Sequence, residues 1–594
     1  MKKSSLSGAV AAAIVGAAGL ASLAHAQSVS SRLFLNPDGL GQVLVYPYYT
    51  VNKNQATLIS VVNTTDQVKA VKVRFLEGRN SKEVLDFNLY LSPFDVWTGA
   101  ITDQGNTDGP GVLNTADTSC TAPAIPAAGV SFRNFAYAQG SGKDDGPQTL
   151  DRTREGHIEI IEMGSVVDNG DVLDRVVEET SGGTVIARAL ATAATHTSAG
   201  EPVNCNALRA ALSTGGVWAS QSLNIDMLPP SGGLFGAANI VDVALGTNLS
   251  YNADAIGGFY QNQGTDSADR WNTLHTLTGS VLPSLAQAAT NATGADAEVF
   301  VDGTSVVLPF AGRGAAPVSA VFMYDAIYNE FVTSESLGAN SEWVITFPTK
   351  RLHIDRATFV PGSTSNARNH QVLQNLRPFT DCVDSTNDGR VYDTAGSCEV
   401  ISISYFDREE GPFGTPTDID FSPPPVTSTP GLNLCYEAQV VSFNQPTTGE
   451  ANEASKVLGS RYARNLNLTG APTGWARIKL GTDSLSDPFG LGNSRGNFLP
   501  DGAILGNGES KTGLRLFGLP ATGFWALQVA RTDGGSALAN YAGTWRHRGS
   551  RRVGAYSETI SQNGFVSGCT FINASGVTEA CPNFRTAVSS GSAL

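Results

Sequence analysis

Alternation of apolar and polar residues with a period of two is the strongest structural signal in this chain. It is clearest within residues 40–102, where residues 71–75 read V-K-V-R-F and residues 85–91 read L-D-F-N-L-Y-L. Successive side chains of a strand point to opposite faces of a sheet, so such runs predict strands with an apolar face and a polar face. Turn-forming residues separate the runs, as in a β-sandwich.

Further runs of strand length recur at residues 400–406, 476–480 and 524–530. Together they predict a mainly β protein that contains immunoglobulin-like β-sandwich domains with long loop insertions and a few short helices. Two segments have helical spacing of apolar residues, residues 206–212 and residues 271–289. In the second segment Pro283 is expected to interrupt the helix.

Shifts in composition predict how the chain is divided. Residues 103–150 are rich in Gly, Asp, Thr and Pro, and residues 423–425 are three consecutive prolines. The predicted regions are a signal peptide (1–26), an N-terminal β-sandwich region (27–102), a loop-rich insertion (103–155), a mixed, mainly β region with short helices (156–420), a Pro-rich linker or loop (421–431) and a C-terminal β region (432–594).

The N-terminus has the three parts of a secretory signal. Lys2 and Lys3 precede an apolar stretch at residues 9–20, and residues 24–26 read A-H-A, a small-x-small cleavage site. This pattern predicts export to the periplasm, the cell surface or the medium. The rest of the chain has no apolar run of about 18 residues, so no transmembrane helix is expected.

Two stretches of the N-terminal region, residues 31–50 and 76–98, resemble uncharacterised exported proteins of Gram-negative bacteria. The resemblance includes N-P-D-G-L-G at residues 36–41 and L-E-G-R-N at residues 76–80. It implies export from a Gram-negative cell and implies no chemical activity.

Seven cysteines are consistent with an oxidising compartment. Their positions along the chain suggest three disulfides and leave Cys435 without a local partner. Free buried thiols are the alternative. The predicted pairs are Cys382–Cys398, Cys569–Cys581 and Cys120–Cys205.

A run of oxygen-bearing side chains at residues 384–393, D-S-T-N-D-G-R-V-Y-D, is similar to a calcium-binding loop. Asp384, Asp388 and Asp393 are its candidate ligands, and calcium is the one cofactor that the sequence suggests. Ala395 stands where an EF-hand needs a bidentate Glu, so the loop is not an EF-hand. A disulfide-closed turn without metal is the favoured alternative.

Charge and motifs narrow the function classes. A formal net charge of −15 disfavours nucleic acid as a partner. No close histidine set is found, and no catalytic residue is assigned. We therefore expect a non-enzymatic surface or envelope protein that acts in adhesion, assembly or binding, with envelope or matrix components or glycans as partners. The alternatives are a secreted polysaccharide hydrolase with acids in residues 384–420, and a calcium- or carbohydrate-binding module.

Two short motifs have competing interpretations. Residues 519–523 read L-P-A-T-G, a cell-wall sorting signal, but no membrane span follows them. We therefore predict a hairpin turn there, between strands at 514–519 and 524–530. Residues 46–49 read Y-P-Y-Y; these aromatic rings could stack on sugars, but packing in a core is the favoured interpretation.

Overall fold

The computed structural model describes the following residues: 31–139, 143–144, 146–168, 180–181, 184–185, 189–261, 272–291, 293–311, 314–354, 378–379, 399–408, 433–443, 455–466, 472–480, 498–502, 510–533, 536–560, 566–572 and 578–580. Within them the protein is mainly β, with antiparallel sheets and a few short helices, which confirms the predicted fold class. Its immunoglobulin type stays a prediction. The predicted signal peptide and the segment 421–431 lie outside the described residues.

Two sheets form the N-terminal sandwich. Sheet A contains, in spatial order, Phe34–Leu35, Asp254–Gly257, Val43–Thr50, Glu155–Val166, Val68–Glu77, Glu83–Leu91 and Cys120–Ala122, and Met227–Leu228 also pairs with Glu155–Val166. Sheet B contains Thr247–Asn252, Leu234–Asp242, Ala56–Asn63, Val96–Thr102, Val112–Asn114 and Val130–Ser131. The sandwich therefore uses strands far beyond residue 102, and segment 103–155 supplies edge strands to both sheets.

Two further sheets form a second sandwich. Sheet C contains Ala463–Asn465, Ala438–Ser442, Ala339–Thr346, Phe524–Asp533 and Ser536–Arg546; its first two strands run parallel and the other pairs antiparallel. Sheet D contains Ser402–Asp407, Thr473–Lys479, Ala326–Val332 and Arg548–Ser550.

The remaining elements lie around these sheets. Sheet E contains Phe498–Pro500, Ser510–Phe517, Val553–Ile560, Val566–Ile572 and Thr578–Ala580. Two-stranded pairs join Gly294–Val301 to Thr304–Ala311, Thr180–Ser181 to Thr184–Val185, Met323–Tyr324 to Leu519–Pro520, and Glu399–Val400 to Asn433–Leu434.

The helices are short. The α-helices are Phe135–Ala138, Leu190–Ala194, Cys205–Leu212, Val217–Ser220, Ala315–Phe322 and Lys350–Ile354, and the 3-10 turns are Asn52–Asn54, Leu150–Arg154, Leu285–Gln287 and Glu335–Leu337. No helix among the described residues is both long enough and apolar enough to cross a bilayer.

The alternating sequence of strand Val68–Glu77 supplies residues to two different cores. Val71, Val73 and Phe75 pack in the first core, between sheets A and B, whereas Val68 and Ala70 belong to a second core on the other face of sheet A. The helix Cys205–Leu212, which the sequence predicted, packs in this second core. Its first residue, Cys205, forms the predicted disulfide with Cys120.

Sheet C has both faces buried. Val344 and Val440 contribute to the first core, whereas their chain neighbours Trp343 and Val441 contribute to a third core, between sheets C and D. Because successive strand residues face opposite sides, the same strands join the two sandwiches. Sheet D is thereby fixed against sheet C by the third core.

The predicted helix at 271–289 is wrong in the described part of that segment, 272–289. Apart from a 3-10 turn at Leu285–Gln287, residues 272–289 form no helix. Leu274 is buried in the second core, but Val281 and Leu282 are 61% and 43% exposed. Gly279 and Pro283 break the segment, so its apolar residues never form one helical stripe.

The predicted hairpin at L-P-A-T-G is also wrong. Strand Ser510–Phe517 belongs to sheet E and strand Phe524–Asp533 to sheet C, so the motif connects two sheets. The amide of Thr522 donates to Thr346 O at 2.9 Å and the amide of Ala521 donates to Phe322 O at 2.9 Å. Leu519 is fully buried. Pro and Gly are compatible both with a connection between two sheets and with a hairpin turn. The sequence pattern therefore does not distinguish these two structures.

Cys435, to which the local pairings assigned no partner, is disulfide-bonded. Cys120 and Cys205 pair with each other, which leaves four other cysteines as candidate partners. Cys382, Cys398 and Cys581 lie outside the described residues.

Buried carboxylates anchor segment 455–462 between the two sandwiches. Glu155 of sheet A accepts hydrogen bonds from Tyr48 Oη at 2.7 Å, Ser460 Oγ at 2.6 Å and the amide of Arg461 at 2.8 Å. Glu342 of sheet C accepts three more, at 2.9 Å each, from Ser455 Oγ and the amides of Val457 and Leu458. Burial raises the pKa of both carboxyls, and these donors oppose the rise.

A third buried carboxyl, Glu437, lies where the turn after strand Val68–Glu77 meets sheet C. Its Oε2 accepts from Ser81 Oγ at 3.0 Å and from the amide of Arg351 at 3.2 Å, whereas its Oε1 is buried without a hydrogen bond. Burial raises the pKa of Glu437 to about 8, against the opposing charge of Lys350. The folded protein therefore favours the neutral acid at this position.

Replacing Gly523 by Ala tests the buried crossing. Gly523 has φ +146°, and a Cβ there would lie 1.9 Å from Val344 O, in a central strand of sheet C. We expect G523A to lose more than about 2 kcal/mol of unfolding free energy. The matched control, Gly39→Ala, has φ +77° but open space around it, so it should lose about 1 kcal/mol. Equal denaturant midpoints for the two variants would contradict the buried crossing.

Replacing Glu437 by Gln tests the neutral buried acid. A folded-state pKa near 8 against an ordinary value of 4.5 means that the folded state binds more protons between these pH values. Wild-type stability should therefore lose this contribution as pH rises through that window. We expect the stability of E437Q relative to wild type to rise by up to about 1.4 kcal/mol per pH unit from pH 5 to 8, measured by urea unfolding. For the exposed control Glu201→Gln, the stability relative to wild type should not change with pH. If the relative stability of E437Q is also independent of pH, the assignment of a neutral buried acid is refuted.

Candidate functional site

The predicted calcium ligands Asp384, Asp388 and Asp393 lie outside the described residues, as do Cys382 and Cys398. Calcium binding at this loop therefore stays a prediction. Among the residues that the structure does describe, no group of three or more His, Cys, Asp or Glu side chains is arranged to hold a metal ion.

Most of the acidic segment that the sequence suggested for hydrolysis is likewise outside the described residues. Asp407 is described and ends strand Ser402–Asp407. The others fall in the undescribed segment 409–432: Glu409, Glu410, Asp418 and Asp420.

The aromatic residues of Y-P-Y-Y are packing residues, as the favoured interpretation held. Tyr46, Tyr48 and Tyr49 are fully buried in the first core. Tyr49 packs edge-on against Phe75 and Phe132, with ring centroids 6.1 and 5.8 Å apart. These tyrosines are therefore unavailable to a sugar in the folded protein.

A serine and a histidine form a buried pair that the sequence analysis missed. Ser319 Oγ lies 2.7 Å from His353 Nε2, which is the contact of a nucleophile with its base. However, Ser319 is fully buried in the middle of helix Ala315–Phe322, and its Oγ also contacts Thr349 Oγ1 at 2.7 Å and donates to Ala315 O at 2.9 Å. We interpret the pair as a packing network, because a substrate cannot reach it.

The outer face of sheet D has a different character. Its strands turn one set of residues inward to the third core, including Ile327, Ile403, Ala476 and Ile478. The alternate residues face outward. We use the name sheet D face for nine of them: Tyr328, Glu330, Ser402, Ser404, Phe406, Trp475, Arg477, Lys479 and Arg548.

Three aromatic side chains lie together on the sheet D face. The rings of Phe406 and Trp475 stack with centroids 4.4 Å apart and planes 17° apart. Tyr328 lies on the strand at the opposite side of Trp475 from Phe406, and its ring centroid is 6.5 Å from that of Trp475. Trp475 is nevertheless 41% exposed. A large aromatic side chain held in place by a neighbour and open to solvent can bind a ligand without losing rotamer freedom.

Local sequence explains why these rings meet. Phe406 and Trp475 are register partners on adjacent strands, so their side chains share one face. Gly474 precedes Trp475, and a Cβ there would lie 2.0 Å from Phe406 O. A side chain at 474 would therefore push the two strands apart, and glycine permits the close approach that sets the stack.

Cations adjoin the aromatic residues. Arg477 and Arg548 are exposed and are the register partners of Tyr328 on its two neighbouring strands. Neither forms an ion pair within the described part of the chain. Burial lowers the pKa of Lys479, and the nearby Arg552 and Arg477 charges lower it further while Asp325 opposes them. Arg477, Lys479 and Arg548 thus bring three cationic side chains to one face of a chain whose net charge is −15.

Replacing Trp475 by Ala tests whether this ring is dispensable for folding. The substitution removes a half-exposed ring and one aromatic stack. We expect the stack to contribute about 1 kcal/mol or less to the unfolding free energy, in addition to the contribution of the apolar area that the ring buries. Trp343→Ala is the contrast, because Trp343 is fully buried in the third core and its loss should cost about 3–5 kcal/mol. Chemical unfolding of both variants measures this. Equal large losses would mean that Trp475 is a core residue.

Comparison with known proteins gives no relative for this chain: no family model, no curated protein and no solved structure matches it.

Proposed function

We propose that this protein is an exported, non-enzymatic binding protein of the cell envelope or cell surface that holds a polysaccharide on the sheet D face. The observation that carries the proposal is the exposed Trp475 ring, stacked on Phe406 and next to Tyr328. The sequence supports export through the signal-like N-terminus.

A flat aromatic group on a sheet suits a sugar chain better than a compact ligand. Aromatic rings offer apolar faces with polar edges, and a sugar ring likewise has an apolar face and a polar rim. The neighbouring Ser404 and Glu330 are outward residues that can form hydrogen bonds with sugar hydroxyls. Sheet D is also anchored by the third core, so the rings keep their spacing when a ligand binds.

Polysaccharide binding is measured with a panel of soluble polysaccharides by isothermal titration calorimetry. We expect at least one polysaccharide to bind wild type, and Trp475→Ala to weaken that binding about 10-fold, which corresponds to about 1.4 kcal/mol. Phe300→Ala is the matched control, because Phe300 is 54% exposed on the separate hairpin of Gly294–Val301. It should bind like wild type.

Two results would contradict the proposal. One is that no polysaccharide in the panel binds wild type, and the other is that W475A and F300A bind equally well. Shortening of the polysaccharide during the titration, seen by size-exclusion chromatography, would instead favour the secreted hydrolase.

Location is tested separately. Cell fractionation should place the protein outside the cytoplasm, and protease treatment of whole cells should degrade it if it is displayed at the surface. Recovery in the cytoplasmic fraction would contradict the exported role.

A further inference from the structure

We infer that the polysaccharide of the sheet D face is a polyuronate, whose carboxylates pair with Arg477 and Arg548. This inference rests on the proposed function, because it names the chemical class of the ligand bound at the same face. It adds a charge requirement that the aromatic stack does not impose.

The positions of the two arginines support a repeating anionic ligand. Arg477 and Arg548 flank Tyr328 on either side in one register row across the sheet. Adjacent strands lie about 4.8 Å apart, so the two backbone positions are separated by about 10 Å. A polymer that crosses this row and carries a carboxylate on successive units can offer one carboxylate to each guanidinium while a sugar ring lies over Tyr328.

The charge of the face supports an anion. Among the outward positions of these four strands, Arg477, Lys479 and Arg548 are cationic and Glu330 is the one carboxylate. Asp407 ends its strand nearby, and Asp325 is already paired with Arg552 at 3.2 Å. A local excess of positive charge in an acidic protein is complementary to an acidic polymer.

The type of cation favours a carboxylate. A guanidinium is planar and offers parallel N–H donors that match the two oxygens of a carboxylate. Both arginines are exposed, so each can reorient to form this bidentate contact. Single-stranded nucleic acid also combines anionic groups with rings that stack, but the net charge of −15 repels a polyphosphate at long range.

The test compares two forms of one sugar chain. Polygalacturonate and its methyl ester share the same sugar units, but the ester carries no carboxylate charge. Titration calorimetry at low salt is done with wild type, Arg477→Gln, Arg548→Gln, and the control Arg133→Gln, which changes an exposed arginine in the other sandwich. Thermal unfolding of each variant checks that it is folded.

We expect wild type and R133Q to bind polygalacturonate at least 10-fold more tightly than its methyl ester. R477Q and R548Q should each reduce this preference about three-fold or more, and added salt should reduce it in wild type. Trp475→Ala should weaken the binding of both forms alike, because it removes the ring and leaves the charges.

The outcomes separate the two claims. If wild type binds both forms equally and W475A weakens both, the polyuronate inference fails and the proposed function stands. If the preference is unchanged in both R477Q and R548Q, the assignment of these arginines fails. If neither form binds, or W475A binds both like wild type, the inference fails and the proposed function loses its support for this ligand. Tighter binding of single-stranded DNA than of polygalacturonate would also overturn the inference.

Discussion

The rest of the structure depends on sheet C having both faces buried. Along strand Ala339–Thr346, Trp343 and Ile345 contribute to the third core, and Val344 between them contributes to the first core. A strand buried on both sides cannot slip by one residue without exchanging its two sets of side chains. Sheets A and B pack on one side of these strands and sheet D packs on the other, so each is held in a fixed position against sheet C.

The charged residues at the junction of the two sandwiches make this arrangement specific. The carboxyls of Glu155 and Glu342 are buried, and each accepts hydrogen bonds from segment 455–462. A buried carboxyl without such donors would cost several kcal/mol, so the segment has one favourable position. Nearby, Arg152 binds Glu77 and Asp144 at 2.8 and 2.6 Å, which closes the turn that contacts sheet C.

Local pattern was enough to predict the strands, but not the way in which they are connected and paired. The alternation at 71–75 is a property of neighbouring residues, and it correctly predicted a strand with two different faces. The crossing at 519–523 depends on contacts with Thr346 and Phe322, which are distant in sequence. The helix prediction for residues 271–289 was wrong because loosely spaced apolar residues do not show whether they are buried by a helix or by an extended segment.

The candidate site was visible from the sequence only in part. Residues 476–480 read as a strand with Arg477 facing outward, and the structure agrees. Its neighbours Tyr328, Phe406 and Arg548 come from three strands, of which those of Tyr328 and Arg548 lie more than two hundred residues apart in the chain. Pairing at that distance leaves no local signal. The exposure of Trp475, which marks this face, is visible only in the structure.

Hydrogen–deuterium exchange of the full protein with and without polygalacturonate tests the central claim most directly. The sheet D face as the binding surface predicts that added ligand slows exchange in residues 326–332, 402–407, 473–479 and 548–550, with sheet B unchanged. Protection confined to sheet B, or equal exchange everywhere at saturating ligand, would contradict it.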